Sequence, residues 1–239
     1  MKKVRILFLF IILTHLIAAQ EIDIKQFPPQ DMLEYGALFG NLEIVKIAIS
    51  KGANINYSEK LPICKAIYGA NPPPGEEGVT YVQMIASAYG ITVPSRNTYI
   101  ELIRWLLQNG AKATVSSDYD SDNIPLLMAA GYRDLEIVRL LLDFNADPNS
   151  KSQTGATALH KLTNPDPFPY PYKNAPEIAK LLISKGAKMI SNESIPKPLD
   201  MAKETLQILG DPSSPWRDYP FYSEIINSIK SLIDIYSKF

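Results

Sequence analysis

The strongest constraint on this chain is a stretch that occurs twice. It reads MLEYGALFGNLEIVKIAISKGANIN from Met32 to Asn56, and NIPLLMAAGYRDLEIVRLLLDFNADPN from Asn123 to Asn149. LEIV stands at Leu42 to Val45 and again at Leu135 to Val138. Leu33 precedes Ile44 by 11 positions, the spacing that also separates Leu126 from Ile137. The pattern predicts two short helices joined by a turn. Pro125 falls in a first helical turn, where its missing N–H costs nothing. Leu126, Met128, Ala129 and Ala130 make a short apolar helix, and Gly131 to Asp134 break it. Leu135, Ile137, Val138 and Leu140 to Leu142 then form a second helix, apolar around most of its circumference. Asn145, which tolerates the left-handed conformation, ends that helix, and Gly52 holds the same place in the earlier copy. Two such helices cannot bury both faces by themselves, so further copies must flank them.

Those copies are present. YIELIRWLLQNGAKA (Tyr99 to Ala113) and PEIAKLLISKGAK (Pro176 to Lys188) repeat the closing half; LPICKAIYG from Leu61 and TGATALHKL from Thr154 supply their opening halves. KPLDMAK (Lys197 to Lys203) opens a fifth, whose second helix is expected within Tyr222 to Tyr236, where Ile225, Ile226, Ile229, Leu232 and Ile233 keep a helical period. The resulting repeats span about 31–56, 57–113, 120–149, 153–188 and 195–238. Measured against the 11-residue spacing, the second, fourth and fifth carry 28, 8 and 15 extra residues, each time between the paired helices. Insertions at one point of a repeat emerge along one edge of the array.

These opening and closing halves resemble the ankyrin repeat family. Its unit of about 33 residues combines a turn with two helices, a T-P-L-H-x-A-A opening and a G-A-D-x-N close. Thr157-Ala158-Leu159-His160 is the nearest copy of the opening tetrad, with alanine in place of proline. The fifth repeat lacks the glycine close and reads as a terminal cap. The resemblance covers most of residues 30–238. It implies an all-α ankyrin-repeat solenoid of about five helix-turn-helix repeats. It also implies a non-catalytic role in binding another protein through the finger tips and first helices. On that basis Tyr119, Asp122, Tyr132 and Gln153 map to exposed finger or first-helix positions as candidate contacts.

Two insertions have their own character. In the second repeat, Asn71-Pro72-Pro73-Pro74-Gly75 is a non-helical excursion, followed by an expected helix over Val79 to Tyr89. A different register would make that helix the first of its repeat and LPICKAIYG the inserted piece; the placement of Pro62 just after a finger favours the former. In the fourth, NPDPFPYPYKNAP alternates prolines that forbid helix and favour extended geometry. Phe168, Tyr170 and Tyr172 then stand either on a recognition strip or folded back over a helix edge. The proline-aromatic stretch from Pro212 to Tyr222 in the fifth repeat has a similar composition, and two such loops on one edge are able to pack together. Deleting Asp166 to Lys173 is expected to leave the array folded, whereas a charge at Ala130 or Leu141 is expected to unfold it.

Chemistry has little material to work with. His15 lies in the leading apolar segment, which leaves His160 as the histidine of the remaining chain, at a tetrad position where the family uses it for structural hydrogen bonds. Cys64, the one cysteine, reads as a small packed hydrophobe; it excludes an internal disulfide and, with one histidine, a usual zinc site. Asp118, Asp120 and Asp122 alternate as in a calcium loop but lack its glycine and distal glutamate. No phosphate-cradling glycine loop is present. No cofactor, no metal and no catalytic residue are expected.

The beginning of the chain differs from the rest. Lys2, Lys3 and Arg5 precede an apolar stretch of about 14 residues, short of the roughly 20 that span a bilayer. Small residues follow. This is the order of a secretory signal peptide over residues 1–19, with cleavage between Ala19 and Gln20, then a linker over 20–30; an uncleaved anchor is the other reading. Cleavage leaves 21 basic against 25 acidic residues. That balance argues against nucleic acid and against membrane attachment of the mature chain. The expectation is a monomer in the periplasm or secreted, from a bacterial source. A specific neutraliser of a toxin or envelope enzyme is the alternative to a general scaffold. An enzyme or metal-binding protein is disfavoured.

Overall fold

The computed structural model describes residues 28–57, 61–72, 83, 92, 94–114, 124–165 and 171–239. The segment at 1–27 and most of the expected helix at 79–89 therefore lie outside the described residues; Gln83 is helical. The described chain is all helical, with ten α-helices, two 3-10 turns and no strand. It divides into two compact bodies, one ending at Ala111 and the other beginning at Lys112.

The first body holds two helix pairs: α1 (Pro29–Leu38) with α2 (Leu42–Ser50), and α3 (Pro62–Ala70) with α4 (Arg96–Gln108). Helix α3 packs on α1 and on α4, as the first helix of its repeat should, so LPICKAIYG belongs to the repeat and not to the insertion. The second body holds three pairs: α5 (Pro125–Gly131) with α6 (Leu135–Asp143), α7 (Ala158–Thr163) with α8 (Ala175–Ser184), and α9 (Pro198–Gly210) with α10 (Tyr222–Ser237). Within this body first helices pack on first helices, α5 to α7 to α9, and second on second, α6 to α8 to α10. Each pair thus covers the apolar face its neighbour cannot bury alone.

Local chemistry sets the helix ends. A proline opens α1, α3, α5 and α9 at the position that needs no donor. Helix α7 has Ala158 there instead. Its start is secured by Thr157 and His160, whose side chains bond one another and the backbone in a reciprocal cap. Three of the second helices, α2, α4 and α6, are capped by side-chain oxygens: Asn41 accepts from the N–H of Ile44, Ser95 from Thr98 and Asp134 from Ile137. Asn145 takes the expected left-handed conformation at φ 61°, where Gly52, Gly110 and Gly186 stand at 89–93° in the other repeats.

Neighbouring repeats are stitched at these closes by asparagine. Asn56 Nδ2 donates to the carbonyl of Gly110 at 2.9 Å, and Asn149 Nδ2 to that of Gly186 at the same distance. The fifth repeat departs from the spacing argument in one respect. Its first helix, α9, runs 13 residues against 7 in α5, so part of the extra length is helix and not loop. Ala202, Thr205 and Leu209 keep one face of the extension buried, which is what lengthens it.

Candidate protein-binding surfaces

The proline-aromatic insertion of the fourth repeat ends inside the core. Tyr172, for which the sequence leaves open a displayed strip or a fold back over a helix edge, is fully buried. It sits in a single 3-10 turn, Tyr172–Asn174, immediately before α8. The guanidinium of Arg133 lies 3.9 Å above its ring, and Ser228 Oγ on α10 donates to its carbonyl at 2.7 Å. Asn174 Nδ2 donates to the carbonyl of Arg133 at 3.1 Å, and the N–H of Lys173 donates to Glu224 at 3.0 Å. The reading of Tyr172 as a contact residue is therefore corrected. A large aromatic side chain gains more from leaving water than from display, and this one fills the corner between α5 and α6 while bracing α10.

Arg133 is the residue that periodicity does not reveal. It is 1% exposed, an unusual fate for arginine, and its φ of 55° is left-handed. Its Nη1 and Nη2 donate to the carbonyls of Gly131 and Asn164. The first repeat has Gly40 at the same point, one residue before the capping Asn41, also left-handed at φ 66°. That alignment is the available signal: a bulky cation where the sister repeat needs glycine must have a partner to justify it.

From Tyr172 an aromatic series leads outward to the α9–α10 loop. Phe221 stacks on Tyr172 with ring centroids 6.1 Å apart and planes within 14°. Tyr219 lies 5.6 Å from Phe221, and Trp216 lies 5.4 Å from Tyr219. Among the described residues, Tyr172 of the fourth repeat's insertion thus meets Phe221 of the fifth repeat's, and the exposed end of the series belongs to the fifth repeat. Tyr219 is 37% exposed and Trp216 half-buried. The loop is firmly built: Arg217 Nε and Nη2 donate to the carbonyls of Asp211 and Gly210, and Tyr222 Oη donates to that of Leu209 at 2.6 Å. Asp211 accepts from the N–H and Oγ of Ser213, which holds its carboxyl below the usual range.

Of the other expected contacts, Gln153 is exposed at a finger tip closed by the Ser152 N–H to Ala156 carbonyl bond and by Gly155 at φ 90°. Tyr132 is half-buried at the end of α5. Tyr119, Asp122, Phe168 and Tyr170 lie outside the described residues, as do Asp118 and Asp120.

His160 is committed to structure at both nitrogens. Nδ1 meets the N–H and Oγ1 of Thr157 at 3.0 and 2.9 Å, and Nε2 bonds the carbonyl of Pro196 at 3.0 Å. Burial lowers its pKa below the ordinary value, against the raising effect of the backbone bonds. Cys64 is buried in α3. Among the described residues no group of three or more His, Cys, Asp or Glu side chains is placed to hold a metal ion, and no helix is long and apolar enough to cross a membrane.

No curated protein matches the chain. Residues 91–193 match the family model for ankyrin repeats in three copies. Ankyrin repeats are protein–protein interaction modules and are generally non-catalytic. Together with the paired, stacked helices and asparagine-stitched closes, that match identifies residues 91–193 as ankyrin repeats and supports an ankyrin-repeat family protein.

Proposed function

We propose that the chain is an exported binding protein without catalytic activity, engaging one protein partner through the aromatic edge of its last repeat. The observation behind this reading is the outward aromatic series. Tyr172 and Phe221 brace the fold, while Tyr219 and Trp216 continue it to the surface on a rigid loop. Tyrosine and tryptophan held rigidly at a surface are the residues that most often dominate binding energy at interfaces. Gln153, on its finger tip, serves as a second, weaker contact. The leading segment 1–19 supports export to the periplasm or medium, with a mature chain starting at Gln20. The balance of 21 basic and 25 acidic residues in that mature chain supports a protein partner over nucleic acid.

The test is affinity capture with the mature protein from the native envelope and medium, followed by a binding titration of the recovered partner. Trp216→Ala with Tyr219→Ala is expected to weaken binding at least tenfold, roughly 1.4 kcal/mol or more, and Gln153→Ala to weaken it less. Unchanged affinity in the double variant removes the aromatic edge from the interface. Recovery of one stoichiometric toxic enzyme, silenced by the protein, identifies a neutraliser; several unrelated partners identify a scaffold. Amino-terminal sequencing of the exported protein tests cleavage before Gln20.

A further inference from the structure

Helices α8 and α10, the second helices of the last two repeats, leave an open groove of about 780 Å3 between them on the surface. Its lining is largely apolar: Ile183 from α8 and Ile235 from α10 are half-buried there, and Phe239, 59% exposed, lines it too. Lys180 and Lys230 face it from opposite helices. Among the described residues neither has a carboxylate within ion-pairing distance, whereas Lys238 Nζ is committed to Asp234 at 2.7 Å. The groove's two serines offer little. Ser184 Oγ donates to the carbonyl of Leu181 at 2.7 Å and Ser231 Oγ to that of Asn227 at 2.9 Å, each within its own helix. The groove thus combines a largely apolar lining, two uncompensated cations and hydroxyls already satisfied.

We infer that this groove takes a single-chain fatty carboxylate, with the anionic head between Lys180 and Lys230 and the chain along Ile183, Ile235 and Phe239. Charge complementarity selects an anion, since both lysines lack a carboxylate partner on a chain whose formal net charge is −1. Engaged hydroxyls select against sugars and other polyols, which need many directional partners. Size selects a small ligand. The volume lies within the roughly 300–1,000 Å3 typical of small-molecule sites. The α8 wall, from Pro176 to Ser184, is only about 12 Å long at the helical rise. A protein segment would need about 800 Å2 of contact per partner, more than two helical turns per wall supply.

The experiment uses the full mature protein and dodecanoate below its micellar concentration, titrated by calorimetry, with dodecyltrimethylammonium as the charge-reversed probe of equal chain length. Dodecanoate is expected to bind saturably at one site and the ammonium at least tenfold more weakly. The double variant Lys180→Gln with Lys230→Gln should weaken dodecanoate at least tenfold with an unchanged melting temperature, because both side chains are exposed. Ile183→Asp should abolish binding. Equal binding of both amphiphiles, no saturable binding, or indifference to the lysine variants overturns the assignment. So does binding only to vesicles of anionic phospholipid, which makes the face a membrane contact. Preferential binding of an acidic amphipathic peptide, or concentration-dependent dimerisation through this face, overturns it equally. The titration reads this groove independently of Trp216 and Tyr219, so its failure leaves the protein-binding proposal standing.

Discussion

The corners of the first and third repeats share one backbone and solve it with opposite residues. Gly40 and Arg133 are both left-handed, and the residues after them, Asn41 and Asp134, both cap the next helix. The N–H of Gly40 donates to Ala37 and that of Arg133 to Ala130, so the turns superpose bond for bond. What differs is the cover arriving from the following repeat. At Gly40 it is Pro94 and Tyr99, so close that an added Cβ would meet both at 3.1 Å. Tyr99 also donates to the carbonyl of Leu38 at 3.0 Å, and burial pushes its hydroxyl pKa up. At Arg133 the cover is Tyr172, which leaves room for a guanidinium. An L-residue there costs about 1–2 kcal/mol of backbone strain, outweighed by a desolvated cation–π contact of about 2 kcal/mol and bonds to two carbonyls. In each case an aromatic at or just before the start of the following repeat's second helix plugs the corner before it.

The comparison can be broken most severely at the plugs. Tyr172→Ala is expected to destabilise the protein by about 3–5 kcal/mol, measured by urea denaturation. Deletion of Asp166 to Lys173, which the sequence alone suggests the array tolerates, should fare no better, because it removes the same buried ring; tolerance of that deletion would show that the plug is dispensable. Arg133→Ala keeps the strained backbone but loses the ring contact and both bonds, for an expected loss of about 2–4 kcal/mol. Arg133→Gly should recover about 1 kcal/mol of that loss by relieving strain. Equal losses in the two variants would mean that the left-handed corner carries no strain.

In the first body Gly69 is the equivalent point of tension. A Cβ there would run into the Tyr99 ring and the Leu38 carbonyl. Gly69→Ala should therefore cost about 1–3 kcal/mol by overpacking, although alanine is ordinarily the better helix residue. A gain in stability would show that Tyr99 is loosely seated and that the two plugs are not equivalent.

The smallest effect concerns pH. The lowered pKa of His160 means that the unfolded chain binds a proton near pH 6.5 that the folded chain refuses. Stability from this residue is complete above that pH and falls as the pH drops toward the folded value. His160→Gln should flatten that part of the stability curve as the pH falls below about 7, read from denaturation midpoints. An unchanged slope would assign the acid sensitivity to other groups.

Much of this was legible from residue order. Helical period, proline at helix starts and left-handed Asn145 follow from local stereochemistry, which a sequence displays directly. The pairing of LPICKAIYG with YIELIRWLLQ was legible only through Pro62, since the helical pattern also admits a second register. The length of α9 was less legible, because the ETLQILG tail follows Lys203 without the usual glycine stop. The sequence leaves Tyr172 open to two readings for a physical reason: proline alternation forbids helix but says nothing of which side of the strip meets protein.

The amino-acid order alone determined that the chain must be a stack of helix pairs, because each pair exposes apolar faces that only a copy of itself can cover. Tertiary structure alone decided what the insertions do. Whether an aromatic on a long loop plugs a corner, as Tyr172 does, or reaches solvent, as Tyr219 does, depends on contacts with residues dozens of positions away. Arg133, Ser228 and Phe221 come together around one ring only after the repeats have stacked. No local pattern encodes that meeting, since its energy is absent until the chain has folded.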